Sequence, residues 1–288
     1  MKKKIKFQLL SLIAPAVICL LIWMIVPLLL ALNFSFQDFY LQDSSKTGYV
    51  GFKNYYYLFK EVNFISSLFT TIIFVLSIIS VTVVLGITLS ILFNQDVYGK
   101  GIARILVISP FFIAPTVAAG LWKLMLMSPT FGLFKWISKS LGYKPIDWFG
   151  DLPLFSIITI VSWQWLPFAL LIILTALQSL PKDQVEAAKI DGANDFQIFQ
   201  HITINHLKRP IAIVIMLETI FVLNIFAHIY ATTNGGPGNA TTNFTYLIYQ
   251  KALLDYDVGG AAAGGIIAVI IANIFAFFLL KFLAKNIN

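Results

Sequence analysis

Residues 64–93 read FISSLFTTIIFVLSIISVTVVLGITLSILF, an apolar stretch that contains no acidic or basic side chain. A helix rises 1.5 Å per residue, so about 20 residues cross the hydrocarbon core of a bilayer. Because no water is available there, each backbone N–H and C=O group must find its partner inside the segment, which a helix achieves. A membrane β-barrel would instead show short segments of alternating hydrophobicity. The stretch therefore predicts a helix that spans a membrane.

Five other apolar segments have a comparable length. They lie at about Leu9–Asn33, Ile105–Met127, Leu154–Leu177, Ile211–Thr232 and Gly260–Phe282. With Phe64–Phe93 they predict an all-α integral membrane protein with six transmembrane helices. No low-complexity stretch or long linker interrupts the series, so we expect residues 1–288 to form a single transmembrane domain.

The composition excludes an ordinary soluble protein. Hydrophobic residues make up 59% of the chain and charged residues only 11%, whereas soluble domains carry about 25% charged residues. The net charge of +7 could suggest a nucleic-acid partner, but no arginine-rich stripe is present. Lysine and arginine are better explained as residues that orient the helices and contact anionic membrane lipid. We therefore expect membrane lipid as a partner and no nucleic acid.

The distribution of basic residues predicts the orientation. The apolar run that follows Met1–Lys6 is longer than the roughly 7–15 residues of a signal peptide core, so we expect an uncleaved first helix. The predicted inner segments carry more lysine and arginine than the longer outer segments, and such residues accumulate in the cytoplasm. With an even number of spans, both termini are predicted to be cytoplasmic.

One inner segment, Gln178–Pro210, is more polar than its flanks. Residues 180–193 read LPKDQVEAAKIDGA. Asp183 and Glu186 resemble a capping box at a helix start, Gly192 suits a left-handed helix end, and a second helical stretch is expected over Asp195–His201. The pattern predicts a short surface helix that either docks on a partner or forms an amphipathic re-entry segment.

Within this segment the sequence resembles the EAA loop, which marks the permease subunits of ABC importers. The resemblance rests on the run Glu186-Ala187-Ala188, on Asp191-Gly192, and on Ile202 at the family spacing. It implies the type I importer permease fold and a coupling helix that sits in a cleft of a cytoplasmic ATPase subunit. The residues it assigns to ATPase coupling are Glu186, Ala187, Ala188, Asp191 and Gly192. Asn205 departs from the family pattern, which usually has proline there.

The resemblance covers most of the chain. Residues 50–55, VGFKNY, are similar to an outer loop of sugar-type permeases, and residues 233–237, TNGGP, with Thr241 and Thr242, to the first permease subunit of maltose-type importers. The stretch from Tyr246 to Gly265 looks most like sorbitol/mannitol permeases. The resemblance implies two cytoplasmic ATPase subunits, a second homologous permease and an extracytoplasmic solute-binding protein. It also implies a multi-pass location in the bacterial cytoplasmic (inner) membrane and a carbohydrate substrate, either a polyol such as sorbitol or mannitol or a sugar.

Polar side chains at membrane depth are costly and therefore mark candidate positions on a substrate path. The candidates are Trp163, Gln164, Trp165, Glu218, Asn224 and His228. Indole faces stack on sugar rings and an amide donates and accepts hydrogen bonds. Asn224 and His228 are four residues apart and should share one helical face. The resemblance also implies a substrate site at about mid-membrane, in the spans that flank the EAA loop.

Each candidate also has a simpler interpretation. Trp163 and Trp165 could pack between helices, His228 could be hydrated near the outer end of its span, and Glu218 could form a hydrogen bond to another helix.

The motifs that are missing limit the chemistry. No phosphate-binding loop of the Gly-x-x-x-x-Gly-Lys-Ser/Thr type and no catalytic or metal-binding constellation is present, and the lone Cys19 cannot form an intrachain disulfide. We therefore expect a transport subunit rather than an enzyme, without cofactor or metal, with ATP hydrolysis in a separate subunit. The alternative is an ion-coupled secondary transporter of a small polar solute. It requires charges buried in the membrane, of which Glu218 is nearly the only candidate.

Overall fold

The structure is a computed structural model that describes residues 2–43, 47–96 and 98–287, with side chains described for 12–43, 47–96, 98–278 and 281. The first half of the chain contains helices, connecting loops and a two-stranded antiparallel hairpin, β1 (Gln37–Asp38) and β2 (Gly48–Tyr49). Its helices are α1 (Lys2–Ser35), α2 (Lys53–Lys60), α3 (Val62–Asn94), α4 (Lys100–Ile108), α5 (Pro115–Leu121) and α6 (Leu133–Ser140).

The second half is also helical. It contains α7 (Pro153–Gln178), α8 (Lys182–Ile190), α9 (Asp195–Ile198), α10 (Ile204–Val222), α11 (Ala227–Thr232), α12 (Phe244–Tyr249) and α13 (Val258–Ile287). Short 3₁₀ or π turns extend α4, α5, α9 and α12 at Ser109–Phe112, Trp122–Leu126, Phe199–Thr203 and Gln250–Leu254.

Four helices of the described chain are long and apolar enough to cross a membrane. They contain Leu12–Ser35, Val62–Asn94, Pro153–Gln178 and Val258–Phe278, which coincide with the first, second, fourth and sixth predicted spans. A bent pair of shorter helices raises the number to five. The multi-pass helical architecture is thus confirmed, while the count of six spans and the cytoplasmic termini stay predictions.

The bent pair corresponds to the third predicted span, which is not the single helix that the sequence predicted. The segments Lys100–Phe112 and Pro115–Leu126 meet at an angle of 111°. A proline disfavours helical geometry in the residue before it, and Ala114 accordingly has an extended backbone with ψ 136°. Pro115 then occupies the first position of α5, where its missing N–H costs nothing.

The prediction that the fifth span, Ile211–Thr232, is one continuous helix was also wrong. It is interrupted between the end of α10 at Val222 and the start of α11 at Ala227. At its other end, the helix does not begin after Pro210. Helical turns run from Asp195 through Pro210 without a break, so the second helical stretch predicted over Asp195–His201 is the start of a longer helix.

Packing on α7 explains why the helix continues through Pro210. Leu207 and Val214, on either side of the proline, are buried in an apolar cluster with three residues of α7. Those three residues are Ala169, Ile173 and Leu177. A proline inside a helix costs about 3 kcal/mol, and tertiary contacts of this kind commonly outweigh local propensity.

The described residues divide into two compact units, Met1–Phe64 with Leu247–Ile270, and Ile65–Tyr246 with Ile271–Asn288. Within the first unit, the Asn54 amide donates to the carbonyls of Ser35 at 2.9 Å and Gln37 at 2.8 Å, which fixes α2 to the end of α1. A Cβ atom added to Gly264 of α13 would lie 3.0 Å from the Ile248 side chain. The glycine therefore permits close packing of α12 and α13, as small residues do in membrane helices.

The second unit holds α4–α11, the polar segment between α7 and α10, and all the residues that the sequence proposed for ATPase coupling and the substrate path.

Candidate functional site

The first candidate site is α8 and the turn that follows it. α8 begins after Pro181, which has an extended backbone and provides no side-chain cap. The predicted capping box of Asp183 and Glu186 is therefore wrong. Asp183 lies inside the first helical turn, where a negative charge still interacts favourably with the positive end of the helix dipole.

The end of α8 matches the prediction. Gly192 has a φ of +87°, and two backbone hydrogen bonds close the turn. The Ala193 N–H donates to the Ala188 carbonyl at 2.9 Å, and the Gly192 N–H donates to the Lys189 carbonyl at 3.1 Å. This pair of bonds defines a Schellman motif, so the end of the helix is fixed by the backbone and one glycine.

A second cap lies directly downstream and was not predicted from the sequence. The Asn194 side chain accepts from the Gln197 N–H at 2.9 Å, and the Gln197 side chain accepts from the Asn194 N–H at 2.9 Å. This reciprocal pair is a capping box at the start of α9. The spacing of Asn and Gln three residues apart was a visible signal. Two capped helix ends thus flank the four residues 191–194 and hold α8 and α9 in a fixed geometry.

The segment is also exposed. No residue of α8 is buried, and Glu186, Ala187, Asp191 and Gly192 are exposed while Ala188 is half-buried. Two large apolar side chains share this exposure, Ile190 at 86% and Phe196 at 71%. Neither residue was predicted as a site residue, although an apolar residue within a polar loop is a recognisable feature. Two such side chains on one polar segment are candidates for contact with a partner protein.

The second candidate site contains Gln164 and His228, which the structure brings into direct contact. The Gln164 amide donates through Nε2 to the Ile113 carbonyl at 2.5 Å, and its Oε1 lies 2.7 Å from His228 Nε2. A carbonyl only accepts, so the amide must present Oε1 to the histidine, and His228 therefore carries its proton on Nε2. Both side chains are 5% exposed.

This contact occurs where two predicted spans are irregular. Ile113 lies at the bend between α4 and α5, where the proline geometry removes regular helical hydrogen bonds. His228 lies in the first turn of α11, just after the break in the fifth predicted span. Gln164 comes from the intervening helix α7. One amide thus links three helical segments through two hydrogen bonds.

Asn224 does not join this contact, and the prediction that it shares a helical face with His228 was wrong. Asn224 lies in the break between α10 and α11, is exposed, and donates to the Ile220 carbonyl at 2.9 Å.

Two side chains from just before and within α12 donate hydrogen bonds to backbone carbonyls of this break. Asn243, only 1% exposed, donates to the Ile225 carbonyl at 2.6 Å. Thr245 donates to the Leu223 carbonyl at 3.2 Å.

Glu218 occupies a separate buried position. It is fully buried in α10, and the Thr82 hydroxyl of α3 donates to its Oε2 at 2.5 Å. Its other carboxyl oxygen, Oε1, has no hydrogen-bond partner among the described residues. This geometry agrees with the interpretation of Glu218 as a link between helices.

The two tryptophans lie in different aromatic contacts. Trp163 packs edge-on against Trp122, with ring centroids 5.5 Å apart. Trp165 contacts Phe111 at 5.7 Å and Phe221 at 5.1 Å. Both indoles are half-buried, so each packs against other helices and keeps part of its surface accessible.

Lys123 is a further residue that the sequence analysis missed. Its ammonium group donates to the carbonyl of Thr232 at 2.5 Å, the last residue of α11. A positive charge is favourable at the negative end of a helix dipole. In the sequence, the signal was a single lysine within an apolar run. In the structure, the hydrogen bond from Lys123 fixes the end of α11 to the turn that follows α5.

Comparison with known proteins defines the family. The model of the family "Binding-protein-dependent transport system inner membrane component" matches residues 18–288. The trehalose/maltose transport system permease protein MalF of Thermococcus litoralis is 36% identical over 74% of this chain and 73% of that protein. The sn-glycerol-3-phosphate transport system permease protein UgpA of Rhizobium meliloti is 28% identical over 96% of this chain and 94% of that protein.

A solved structure has the same fold. A chain of a bacterial ABC transporter involved in the import of the acidic polysaccharide alginate aligns with a TM-score of 0.84 and 23% identity. The alignment covers 98% of this chain and 96% of that one. With the long apolar helices described above, these findings identify a multi-pass protein of the inner membrane and a transport component rather than an enzyme. The chain belongs to the family of binding-protein-dependent transport system inner membrane components, the permease subunits of ABC importers.

Proposed function

We propose that this chain is the permease subunit of an ATP-driven, binding-protein-dependent importer of a carbohydrate, a sugar or a polyol such as sorbitol or mannitol. The relatives named for trehalose/maltose, for sn-glycerol-3-phosphate and for alginate support a hydroxyl-rich substrate. In the assembly it would accompany a second homologous permease, two ATPase subunits and an extracytoplasmic solute-binding protein.

The observation that carries the proposal is the geometry of α8. A short helix with no buried residue, closed by a Schellman motif and followed by a capped α9, is a rigid element on the surface. Hollows of about 350 and 530 Å³ lie on two sides of it, one lined by Gly192 and Gln197 and the other by Asp96 and Glu186. We propose that an ATPase subunit grips α8, and that Glu186, Ala187, Ala188, Asp191 and Gly192 transmit its closure.

The proposed substrate path follows the polar groups of α7 and α11. Gln164 and His228 can exchange their mutual hydrogen bond for bonds to substrate hydroxyls, while the accessible parts of Trp163 and Trp165 offer faces for stacking. Asn224 is exposed at the break between α10 and α11, so its amide is also available to substrate hydroxyls. Glu218 is enclosed, and its proposed role is to hold α10 against α3 during transport.

The first experiment is affinity purification of the chain from its native membrane in mild detergent, with mass spectrometry of the proteins that accompany it. We expect an ATPase subunit and a second permease. Gly192→Pro, or Ala188→Trp, should insert normally but lose the ATPase subunit, because each change distorts α8 or blocks its surface. Normal recovery of the ATPase with both variants would contradict the proposed coupling.

Energy dependence separates this proposal from an ion-coupled secondary transporter. Uptake of labelled maltose, sorbitol and mannitol is measured in cells depleted of ATP and in cells treated with an ionophore. The proposal expects uptake to stop with ATP depletion. Uptake that persists without ATP and collapses with the ionophore would favour the secondary transporter.

A further inference from the structure

One side of the short helix α6 carries large apolar side chains that are exposed. Leu133, Trp136 and Ile137 follow one another at helical spacings of three and four residues, so they share this side. Their side chains are 47%, 69% and 39% exposed. We refer to these three residues as the apolar face of α6. A cluster of this kind on a helix surface marks a contact with a partner or with a membrane.

The other side of α6 packs on the ends of two membrane segments. The ring centroid of Phe134 lies 6.2 Å from that of Trp122, in the π turn that extends α5. It lies 5.5 Å from the centroid of Trp148, which stacks in turn on Phe155 in the first turn of α7. The Ser156 hydroxyl also donates to the Trp148 carbonyl at 2.7 Å. These contacts hold α6 at the level where α5 ends and α7 begins.

The backbone fixes the end of α6 and thereby the direction of its apolar face. The Tyr143 N–H donates to the Ser138 carbonyl at 2.8 Å, and the Gly142 N–H donates to the Lys139 carbonyl at 3.1 Å. Gly142 has a φ of +78°, so the helix ends in a Schellman motif. The apolar face is therefore presented by an ordered helix and not by a loose loop.

The charge around α6 has one sign. Residues 128–146 read SPTFGLFKWISKSLGYKPI and contain three lysines and no acidic residue. The Lys135 ammonium donates to the Thr130 carbonyl, while Lys139 and Lys144 are exposed. A helix that combines an apolar, tryptophan-containing face with basic side chains is typical of helices that lie in the plane of a membrane surface, where lysine meets lipid phosphate. Charge and position therefore favour lipid over another protein as the cover of this face.

We propose that α6 lies along the surface of the membrane, with its apolar face at the boundary between lipid headgroups and acyl chains and with Lys139 at the level of the phosphates. The helix would fix the end of α5 and the start of α7 to the membrane surface. This role is separate from the ATPase contact proposed for α8. It does not depend on the transported solute or on which side of the membrane holds α6.

The test measures how deeply each side of α6 is immersed. Single cysteines in a Cys19→Ser background carry a nitroxide spin label, and the full chain, with the subunits that accompany it, is placed in nanodiscs of phosphatidylethanolamine and phosphatidylglycerol. Electron paramagnetic resonance then compares collisions with oxygen, which concentrates among acyl chains, and with a water-soluble nickel complex. Labels at Trp136→Cys and Ile137→Cys should collide with oxygen several-fold more than with nickel.

Two further positions calibrate this result. Lys139→Cys lies two residues after Ile137 and thus nearly on the opposite side of the helix, so its label should prefer the nickel complex. Trp23→Cys, at a position 82% exposed within the first membrane helix, should prefer oxygen. All four positions are exposed, so the labels leave the buried core intact.

Three results would overturn the proposal. A preference for nickel at both Trp136→Cys and Ile137→Cys would place the apolar face in water. Exclusion of both reagents at these positions would show that a neighbouring subunit covers the face. Access of nickel that is lost only when the solute-binding protein is added would identify the face as a docking surface for that protein.

Discussion

A substitution at Gly192 tests the effect of backbone conformation alone. A Cβ atom placed on it would meet no heavy atom within 4 Å, so a substitution there is strained by its φ of +87° and not by collision. An L-residue in this region costs about 1–2 kcal/mol. We expect Gly192→Ala to distort the turn after α8 and to reduce co-purification of the ATPase about 5- to 30-fold, measured by quantitative mass spectrometry.

Gly142 provides the matched control for this change. It has a similar φ of +78° and likewise no heavy atom within 4 Å of an added Cβ, but it follows α6, far along the chain from α8. Gly142→Ala should impose the same local strain and leave the ATPase yield unchanged. An equal loss in both variants would show that the effect is general destabilisation.

The hydrogen bond between Gln164 and His228 can be measured by a double-mutant cycle. Gln164→Leu and His228→Leu each leave a buried polar partner unpaired, which typically costs about 1–3 kcal/mol. Because they remove the same bond, the double variant should be less destabilised than the sum, by about 1 kcal/mol. The measurement is the free energy of unfolding in sodium dodecyl sulfate, and strictly additive effects would show that the two residues do not interact.

Individual residues show where sequence analysis is limited. The left-handed conformation of Gly192 was predictable, because glycine after a polar helix is a local signal. The pairing of Gln164 with His228 was not, because it depends on the bend at Ile113 that presents a free carbonyl. Asn243 likewise gave no local sign that it supports a break in a distant helix.

At the scale of elements, α8 and α9 present two apolar side chains that should be buried by the ATPase subunit. Ile190 and Phe196 are 86% and 71% exposed, and fully burying such a side chain contributes about 1.5–3 kcal/mol. We expect Ile190→Ser or Phe196→Ser to weaken ATPase binding by about 10- to 100-fold, measured by titration of the purified ATPase on the permease in nanodiscs.

Leu141, directly after α6, is the control for this prediction. It is 67% exposed, so Leu141→Ser removes a comparable apolar surface from a different loop. ATPase affinity should not change. If Ile190→Ser and Phe196→Ser also left the affinity unchanged, the exposed apolar surface of α8 and α9 would have another use.

Elements with uniform composition were predicted well, and those with irregular geometry were not. The apolar runs that contain α1, α3, α7 and α13 are long enough to determine a helix by themselves. The third and fifth predicted spans are also apolar runs in the sequence, yet one bends at Pro115 and the other breaks after Val222. Pro115 correctly indicates the bend in the third span. Pro210 does not mark a helix boundary, because packing on α7 keeps the helix continuous there.

At the scale of the whole molecule, the six predicted spans can be tested by four single cysteines in a Cys19→Ser background. The exposed positions are Tyr98, Lys139, Gln184 and Lys281. An impermeant maleimide added to spheroplasts should label Lys139→Cys only. After permeabilisation it should label all four, because the basic-residue distribution predicts that Tyr98, Gln184 and Lys281 lie in the cytoplasm.

The labelling pattern also identifies the irregular spans. If the bent pair α4–α5 re-enters without crossing, Tyr98→Cys and Lys139→Cys will lie on the same side of the membrane and will be labelled under the same condition. If the broken pair α10–α11 does not cross, Lys281→Cys and Gln184→Cys will lie on opposite sides. Either result would replace the six-span prediction with a five-span arrangement.

The Schellman motif after α8 has an evolutionary consequence. Its hydrogen bonds use backbone groups of Ala188, Lys189, Gly192 and Ala193, so the shape of the turn depends on one glycine and hardly on the other side chains. The outward-facing residues of α8 are therefore free to mutate while the helix keeps its form. Under the ATPase contact proposed for α8, a lineage can thereby exchange one ATPase partner for another by substitutions on a surface that never has to refold.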